Sequence, residues 1–459
     1  MKLVSLLRKR FTLNYLLISV FIAVTWVNFN QERWKRKDVI ASDVAHYYSY
    51  LPAAFYEKDL SLSFLSDSIN QWQEVYFYSP NYTSEHKAVI KMSMGMSLSY
   101  LPFFALAHFY AHLFDYPVNG FSEPYQFAIQ FASLFYYLIG IFFLWKVLRF
   151  YFSQEVAFIT LFCISFGTNA FYYLTLGAGM AHVTDFGCMS AFLLLTLQWH
   201  KEPRLSKAIL LGCLGGFLVL LRPINVLVVL FFFFYRISSI GNFRSKINFF
   251  LSYKLQIVAV IFFSILVFIP QMLYWKFVTG HFLFNSYVGE HFFFDNPHIF
   301  KALFGFRKGW FIYTPIMLAA VVGFFFLREK LKEFSLALPV FFIVYLYVAF
   351  SWWCWWYGGS FSQRVLIDIY PFLAIPFAAV IKSVQNFKKT KMILYTLLIC
   401  FILLNLFQTI QAKYNIIHYD AMTRQNYFKV FFTITKQEGR EKYLDHPDYD
   451  KAKRGEEED

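Results

Sequence analysis

The sequence predicts an all-α protein that crosses a membrane about eleven times. Two observations carry this prediction: 58% of the 459 residues are hydrophobic, and only 15% are charged. A soluble chain has about 25% charged residues, so the composition argues against a soluble fold. Many apolar runs reach the roughly 18 residues that a bilayer-spanning helix needs. The net charge of +14 then indicates topology and contact with anionic lipids, and we expect no nucleic-acid partner.

The apolar runs define the predicted spans, which together form a membrane domain over residues 1–411. They lie at 11–29, 125–148, 155–174, 183–199, 207–221, 223–236, 255–275, 309–327, 334–351, 365–382 and 392–411. Most Lys and Arg residues of the short loops fall on one side, which we assign to the cytoplasm together with the amino terminus. No small-residue cleavage site follows the basic Arg8-Lys9-Arg10 segment, so the first span is expected to stay uncleaved.

Two apolar segments allow more than one topology. If 92–114 crossed the membrane, the acidic loop 115–124 would lie in the cytoplasm, against the positive-inside rule, so we predict an interfacial helix there. A single helix over 207–235 would bury Arg222 near the middle of the membrane, where a charge is costly. A hairpin that turns at Arg222-Pro223 avoids this, because proline suits the first position of a helix.

With this topology, three sizeable polar segments face the outer side, and a functional site is expected there. They are 30–91, which includes juxtamembrane helices, 276–308 and 352–364. Residues 412–459 form an outer tail that begins with aromatics. After about residue 437 the tail becomes rich in Lys, Glu and Asp, a composition typical of disorder. The five cysteines show no disulfide or metal spacing and are interpreted as small hydrophobic residues.

The main catalytic candidate is Asp43, which lies in the first outer loop just before an aromatic run. One interpretation is structural, in which Ser42 or Asp43 caps the helix that follows. The other is chemical: a carboxylate at the edge of a membrane cavity can act as a general base and accept a proton from a hydroxyl. Glu57 and Asp59 are second candidates for this role, although their charged neighbourhood also fits a solvated surface.

His182 and Asp185 form a second candidate group at the beginning of the span 183–199. They are three residues apart and therefore share one face of a helix. Ionisable groups at membrane depth are functional by default, so a catalytic role is one interpretation, and a His–Asp pair that satisfies itself is the other. A metal shared with Asp43 would need a ligand spacing that the sequence does not show, so we predict no metal.

Isolated basic residues recur at the predicted outer face, each beside apolar or glycine-rich sequence. They are Lys91, Arg222, Arg307, Lys308 and Arg364. Ordinary snorkelling to the membrane surface would explain each one alone. Several cations that converge on one cavity would instead bind a phosphate or pyrophosphate.

The stretch 351–364 is the most unusual in the chain, with four Trp, two Gly and a Gln-Arg pair. A belt of interfacial aromatics is one explanation. Aromatic faces also pack on sugar rings, and glycine permits a close backbone approach. We therefore assign Trp356, together with Tyr47 and Tyr48, to sugar or acceptor binding. Glu290 is assigned to the same role, from an outer loop that is either a lid or a lipid-surface helix.

In its layout, the chain over residues 1–385 resembles the GT-C superfamily of polytopic bacterial glycosyltransferases. The shared features are one span, a long outer loop with juxtamembrane helices and an early acid (Asp43), a second outer loop with an acid or His, and a Leu-Arg-Pro hairpin at Arg222. The stretches 305–315 and 356–364 also resemble segments of this group. Its members include the protein O-mannosyltransferases and the lipid A aminoarabinose transferases.

The resemblance implies an inverting transferase that moves a sugar from a polyprenyl-phosphate donor to a hydroxyl acceptor at the outer face of a bacterial inner membrane. Asp43 would be the base, and Lys91, Arg222 and Arg364 would hold the departing phosphate. Two features depart from the group: no second acid adjoins Asp43, and His182 stands where many relatives have only an acid. No cofactor is expected, and the sequence does not identify the acceptor.

Two other classes of protein fit parts of the pattern. A transporter or lipid flippase would predict charges within the spans and repeat symmetry, whereas the span interiors here are almost free of charge. A non-catalytic scaffold for envelope assembly would predict that loss of the Asp43 carboxylate leaves product formation unchanged.

Overall fold

The computed structural model describes residues 12–65, 72, 76, 78–238, 241–436 and 438–456. Within these ranges the regular structure is helical apart from a short hairpin, in which β1 (Asn81–Tyr82) pairs with β2 (Ala88–Val89). The predicted all-α class is therefore confirmed. The basic Arg8-Lys9-Arg10 segment, part of the first outer loop and the end of the tail lie outside the described residues.

The first half of the described chain contains α1 to α11. These helices are α1 Leu13–Gln31, α2 Arg33–Arg36, α3 Asp43–Tyr48, α4 Tyr50–Phe55, α5 Gly95–Leu113, α6 Glu123–Arg149, α7 Gln154–Gly167, α8 Ala170–Leu174, α9 Ala181–Lys201, α10 Leu205–Leu221 and α11 Val228–Phe234. Turns of 3-10 helix at Ser63–Leu65 and Pro223–Leu227 complete this half.

The second half contains α12 to α22. These helices are α12 Gly241–Ser252, α13 Lys254–Thr279, α14 Ile299–Phe304, α15 Trp310–Tyr313, α16 Leu318–Val322, α17 Leu327–Lys330, α18 Ala337–Phe350, α19 Tyr370–Val384, α20 Lys388–Lys413, α21 Arg424–Val430 and α22 Tyr449–Lys453. Its 3-10 segments are Pro315–Met317, Gly323–Phe326, Lys332–Phe334, Arg364–Ile369 and Arg440–Tyr443.

Six helical segments of the described chain are long and apolar enough to cross a membrane, which confirms the multi-pass class. They are Leu13–Arg36, Glu123–Arg149, Lys254–Thr279, Lys332–Phe350, Arg364–Val384 and Lys388–Lys413. Burial separates the central segments from the peripheral ones. The most apolar window of Arg364–Val384 is 94% buried, whereas that of Lys254–Thr279 is 11% buried. An apolar helix with so little protein cover is suited to contact lipid, and the segment that starts at Arg364 forms the centre of the bundle.

Small residues let α10 and α13 cross closely. A Cβ atom built on Gly216 would lie 2.3 Å from the carbonyl oxygen of Ser264, so only glycine fits at this crossing. The Ser264 hydroxyl donates a hydrogen bond to the carbonyl oxygen of Gly212 at 2.9 Å. Close backbone approach and hydroxyl-to-backbone bonds are the usual means of joining helices in a membrane, where apolar side chains gain nothing by leaving lipid.

The structure contains the predicted turn at Arg222-Pro223. Helix α10 ends at Leu221, Arg222 has an extended backbone, and a 3-10 turn begins at Pro223. The segment 92–114, predicted to be interfacial, contains the helix α5. The position of α5 relative to a membrane stays a prediction.

Two predicted spans differ from continuous helices. The span 155–174 divides into α7 and α8 at Thr168-Asn169. The span 309–327 breaks into short helical pieces, one of which starts at Pro315 because proline lacks the N–H that helix continuation requires. A Cβ atom at Gly323 would meet the backbone of α19, so packing also constrains this segment.

The C-terminal segment folds against the loops, which corrects the expectation of disorder after residue 437 for the described part, 438–456. Asp445 pairs with Arg307 at 3.0 Å, and the Tyr449 ring packs edge-on against Trp353 and Trp356, with centroids 6.2 and 5.6 Å away. Composition alone suggested a solvated tail. The reason for the difference is that its few aromatic and acidic residues have specific partners on the loops.

Substitution of Gly216 by Ala tests the crossing of α10 and α13. The new methyl group would force the helices apart, and overpacking of this kind costs about 1–3 kcal/mol. We expect a lower thermal unfolding temperature in detergent. Gly215→Ala is the matched control, because its Cβ would have its nearest neighbour at 3.5 Å, an ordinary contact. Equal unfolding temperatures for the two variants would contradict the proposed close crossing.

Candidate functional site

A cavity of about 770 Å³ opens where the first outer loop, the loop after α13, the segment after α18 and the C-terminal segment meet. We call it the Asp43 cavity. It brings together seven of the residues that the sequence singled out, from six separate parts of the chain. They are Asp43, Tyr47, Lys91, His182, Arg222, Glu290 and Arg364.

The loop that contains Glu290 is fastened to the tryptophan-rich segment by backbone pairing. Phe292 and Trp352 form an antiparallel bridge. The Phe293 N–H donates to the Ser351 carbonyl at 2.6 Å, and the Trp353 N–H donates to the His291 carbonyl at 3.1 Å. Of the two interpretations left open for this loop, this geometry favours a wall or lid over the cavity.

Asp43 lies in the first turn of α3, and its carboxylate points away from the helix backbone towards Arg364. Arg364 Nη2 donates to Asp43 Oδ2 at 2.6 Å. The Asp43 side chain is 35% exposed and that of Arg364 is 14% exposed, so the pair lies at the surface of the cavity. Ser42 makes no side-chain cap to α3, so neither capping interpretation describes this helix.

The charge on Arg364 controls the ionisation of Asp43. Burial by itself would raise the pKa of Asp43, but the Arg364 guanidinium, with a smaller contribution from Lys91, lowers the pKa below its usual value. An opposite charge within hydrogen-bond distance favours the ionised form. Asp43 is therefore a carboxylate at neutral pH and available to accept a proton.

The backbone just before Asp43 has an unusual conformation. Ser42 has φ +50° and ψ −125°, a region that residues with a side chain rarely adopt. Its N–H donates to the Tyr76 carbonyl at 2.9 Å, which helps to hold the turn. Such conformations cost about 1–3 kcal/mol and are found most often at functional sites. Tyr357, on the opposite wall of the cavity, also has a positive φ, of +57°.

Arg222 and His182 meet at one buried carboxylate, Asp368. His182 Nδ1 lies 2.8 Å from Asp368 Oδ1 and 3.1 Å from Arg222 Nη1. Arg222 forms an ion pair with Asp368 Oδ2, and the Tyr345 hydroxyl donates to the same oxygen at 3.0 Å. The Asp368 side chain is fully buried. Charge pairing with added hydrogen bonds is what makes such burial tolerable.

Lys91 has the corresponding arrangement on the other side of the cavity. Its ammonium group forms an ion pair with Glu290. The second oxygen of Glu290 accepts a hydrogen bond from the indole N–H of Trp353 at 3.0 Å. Lys91 also lies over the ring of Tyr287, with its Nζ 5.4 Å from the centroid. Each of the three predicted cations that reach the cavity is thus paired with a carboxylate.

Two of the predicted polar residues lie behind the cavity wall instead of on it. Asp185 is fully buried and accepts a hydrogen bond from Asn225 Nδ2 at 2.9 Å. It therefore positions the turn after Arg222 and does not reach the cavity. The hydroxyl of Tyr48 donates to the Gly120 carbonyl, because adjacent residues of a helix point in different directions and only Tyr47 faces the cavity.

Arg307, Lys308 and Trp356 also lie away from the cavity. Arg307 donates to the Asp420 carbonyl at 3.2 Å, and Lys308 donates to backbone carbonyls of Ser360 and Tyr419. These cations bind carbonyl groups of the C-terminal segment and of the segment 352–364, so they join parts of the chain to one another. Trp356 is fully buried beneath the neighbouring Trp353, which does line the cavity.

The sequence reasoning missed one buried residue behind the cavity wall and two residues that line the cavity. Asp368 lies inside the predicted span 365–382, four residues after Arg364. An acid within an apolar helix is itself an indication of a functional site, so this residue could have been found from the sequence. Tyr449 and Lys453 line the cavity from the C-terminal segment, with Lys453 Nζ 5.5 Å from the Trp353 ring centroid. Nothing in the local sequence indicated that this segment returns to the loops.

Residues 118–275 match the family model of the dolichyl-phosphate-mannose-protein mannosyltransferases. This segment is about a third of the chain and includes His182 and Arg222. The match confirms the resemblance to the GT-C glycosyltransferases that the layout indicated. No curated protein matches the chain.

Among solved structures, the chain is similar to the crystal structure of ArnT from Cupriavidus metallidurans in the apo state. The identity is 14% and the TM-score is 0.47. The similar region covers 82% of this chain and 61% of that one, so the chain spans less than two thirds of the length of ArnT.

Replacement of Asp368 by Asn tests whether this carboxylate neutralises Arg222. The amide keeps the shape but leaves a buried guanidinium without a counter-charge, and we expect a loss of about 3–5 kcal/mol. The measurement is the thermal unfolding temperature in detergent. Tyr345→Phe removes a hydroxyl from the same cluster and serves as control, with an expected loss of about 1 kcal/mol. If Asp368→Asn were no more harmful than the control, the proposed charge pairing would be wrong.

Proposed function

We propose that the chain is an inverting glycosyltransferase that takes a sugar from a polyprenyl-phosphate donor and transfers it to a hydroxyl acceptor in the Asp43 cavity. The observation that carries this proposal is that an ionised carboxylate, Asp43, shares one cavity with Lys91 and Arg222. The reaction needs a proton acceptor and fixed positive charge where negative charge develops. The mannosyltransferase family match over 118–275 supports the same class.

In the proposed step, the acceptor oxygen attacks the sugar carbon that carries the phosphate. A carbon–oxygen bond forms to the acceptor, and the bond from the same carbon to the phosphate oxygen breaks. The polyprenyl phosphate leaves with the electron pair of that bond, and the acceptor proton moves to Asp43. Attack from the side opposite to the phosphate inverts the configuration of the sugar carbon.

Donor binding would involve an exchange of partners at the cations. Arg222 contacts Asp368 through Nη1, and a guanidinium has five N–H donors, so it can keep this carboxylate and still hold a phosphate oxygen. Lys91 has a compact ammonium group and would turn from Glu290 towards the phosphate. Glu290 would then be free to accept a hydrogen bond from a sugar hydroxyl, while Trp353 continues to orient it.

Arg364 has a different role in this proposal from the one that the sequence suggested. Its guanidinium is occupied by Asp43, so it is proposed to set the ionisation of the base and not to hold the donor phosphate. The proposed location of the cavity is the outer face of a bacterial inner membrane, with the amino terminus in the cytoplasm and the carboxyl terminus in the periplasm, and the distribution of Lys and Arg in the short loops supports this orientation. No metal or cofactor is needed for the proposed step.

Asp43→Asn tests the proposed base. The amide cannot accept the proton, so we expect the rate of sugar transfer in proteoliposomes to fall by about 10²–10⁴-fold. The readout is release of polyprenyl phosphate from a radiolabelled sugar donor, together with label in acceptor from native membranes. Expression and the unfolding temperature should remain close to wild type.

Asp59→Asn is the matched control for this substitution. Asp59 lies in the same outer loop and accepts hydrogen bonds from the hydroxyl groups of Ser61 and Ser63. These contacts are local, because the three residues are close together in the chain. Its loss should leave the transfer rate nearly unchanged. Full activity in the Asp43→Asn variant would contradict the catalytic assignment and favour a scaffold. Movement of intact donor across the bilayer without sugar transfer would favour a flippase.

Arg364→Gln should change the pH dependence of the reaction. In the wild type the guanidinium lowers the pKa of Asp43, so the ionised base persists into acid solution and activity falls only as the pH drops through that low pKa. Without the guanidinium the pKa rises, by about 1–3 units for a lost neighbouring charge. We therefore expect the acidic limb of the pH–rate profile to move to higher pH.

Arg33→Gln is the control for the pH experiment. Arg33 also pairs with an aspartate, Asp38, at 2.7 Å, but it does not line the Asp43 cavity. Its pH–rate profile should match the wild type. An unshifted acidic limb in Arg364→Gln would exclude Asp43 as the group that titrates.

A further inference from the structure

Three potential metal ligands meet in the C-terminal segment, outside the Asp43 cavity. They are His418, Asp420 and His446, and one ligand atom from each lies within 4.8 Å of the others. His418 and Asp420 follow α20, while His446 is 26 residues farther along the chain, just before α22. The sequence reasoning did not single out these residues, because their spacing follows no familiar metal motif.

Two of the ligand atoms lie directly opposite each other. His418 Nδ1 lies 3.2 Å from Asp420 Oδ1. The backbone N–H groups of Asp420 and Ala421 also donate to this Nδ1, at 3.4 and 3.2 Å. Asp420 Oδ1 is buried and accepts no hydrogen bond from the described residues. Repulsion between this nitrogen and the carboxylate oxygen is removed either by a proton on Nδ1 or by a metal ion bound between the two atoms.

Two of the three potential ligands are buried and one is exposed, an arrangement that suits a metal site. The side chains of His418 and Asp420 are each 7% exposed, so their positions are fixed by packing. His446 is 57% exposed, and its ring lies across that of His418 with the centroids 5.1 Å apart. It can therefore close on an ion from the solvent side and leave room for a water ligand. Glu441 Oε2 lies 3.8 Å from His446 Nε2 and is a further ligand within reach.

A second set of contacts orients the buried carboxylate. The Tyr449 hydroxyl donates to Asp420 Oδ2 at 2.9 Å, and this leaves Oδ1 directed towards His418. Arg307 holds the Asp420 carbonyl at 3.2 Å. Hydrogen bonds from outer partners fix the direction of metal ligands in this way in known sites. Tyr449 itself lines the Asp43 cavity, so the cluster is connected to one wall of that cavity.

We propose that His418, Asp420 and His446 bind a zinc ion, which fastens the C-terminal segment against the wall of the Asp43 cavity. Two imidazoles and one carboxylate are ligands that Zn²⁺ accepts, with bonds of about 2.0–2.2 Å and a water in the fourth position. In a tetrahedral site, ligand atoms are roughly 3.3 Å apart, so the exposed His446 would move inwards. The ion would close a loop of the chain between Asp420 and His446, a cross-link that restricts its opening.

The site is independent of the proposed transfer reaction. It takes no part in moving the sugar or the proton, and it would act by holding Tyr449 and Lys453 in place at the cavity wall. Metal binding can therefore be measured whether or not a donor or acceptor is known. Failure of the metal proposal would leave the assignment of Asp43 untouched.

The experiment uses the full chain, purified with a tag that contains no histidine, stripped with a chelator and then dialysed. Zinc is added, unbound metal is removed on a desalting column, and bound metal is counted by mass spectrometry. We expect one zinc per chain. Replacement of zinc by Co²⁺ should give the visible absorption bands of a four-coordinate site.

His446→Ala is the decisive variant, because this exposed side chain can be removed without disturbing a buried core. It should lose most of the bound metal and the cobalt bands. Asp420→Asn should show the same losses. His281→Ala is the control, since His281 is an exposed histidine of another outer loop, and it should bind like the wild type.

Limited proteolysis provides the structural readout. In the wild type, zinc should slow cleavage between residues 415 and 456, and it should have no such effect on His446→Ala. Equal zinc retention by the wild type, His446→Ala and Asp420→Asn would overturn the proposal, as would a wild type that keeps no zinc after desalting. Zinc retention without any change in cleavage would overturn the fastening role.

Discussion

Everything at the cavity depends on two ion pairs that start from one turn of helix. Arg364 and Asp368 are four residues apart at the beginning of the most buried helical segment, and they carry opposite charges. Arg364 binds Asp43 of the first outer loop, and Asp368 binds Arg222 at the end of α10. Neither charge could be buried without its partner. The requirement for pairing therefore draws a loop and a helical hairpin onto the same central turn.

This paired state has a consequence for recognition. A phosphate that enters the cavity meets cations that already have carboxylate partners, so affinity comes from the difference between two sets of contacts and not from free positive charge. A simple anion offers no more than Glu290 already gives to Lys91. A larger ligand that also fills the aromatic walls around Trp353 gains further contact area. If the proposed donor is correct, paired cations would thus favour the whole lipid-linked sugar over inorganic phosphate.

Much of the fold could be predicted because the membrane constrains it strongly. The apolar runs gave the helices, and Arg222-Pro223 gave the hairpin, since a charge and a proline together exclude a continuous span. Asp43 and Arg364 were recognisable as isolated charges beside aromatic sequence. Their mutual pairing was not, because 321 residues separate them and local patterns contain no information on such contacts. The sequence analysis assigned Asp43 to the acceptor hydroxyl and Arg364 to the donor phosphate, whereas in the structure the two side chains pair with each other.

The C-terminal segment was misjudged for a related reason. Its composition of Lys, Glu and Asp is that of a solvated tail, and only a few residues, such as Tyr449, reveal a docking surface. Composition describes the average residue of a segment, whereas the C-terminal segment docks on the loops through only a few specific contacts. For the same reason, the sequence did not reveal that His418 and His446 lie close together, because their proximity depends on how the chain folds between them.

The position of α22 also bears on the order of biosynthesis. Residues at the ends of apolar helices, such as His182 and Arg222, line the Asp43 cavity, but Tyr449 and Lys453, which also line it, follow the end of α20 by dozens of residues. With the proposed carboxyl terminus on the outer side, these two residues would reach the cavity only after that stretch has been translocated across the bilayer. A nascent chain could then have all its membrane helices inserted and still lack one part of the cavity wall, which would delay activity until the C-terminal segment has docked.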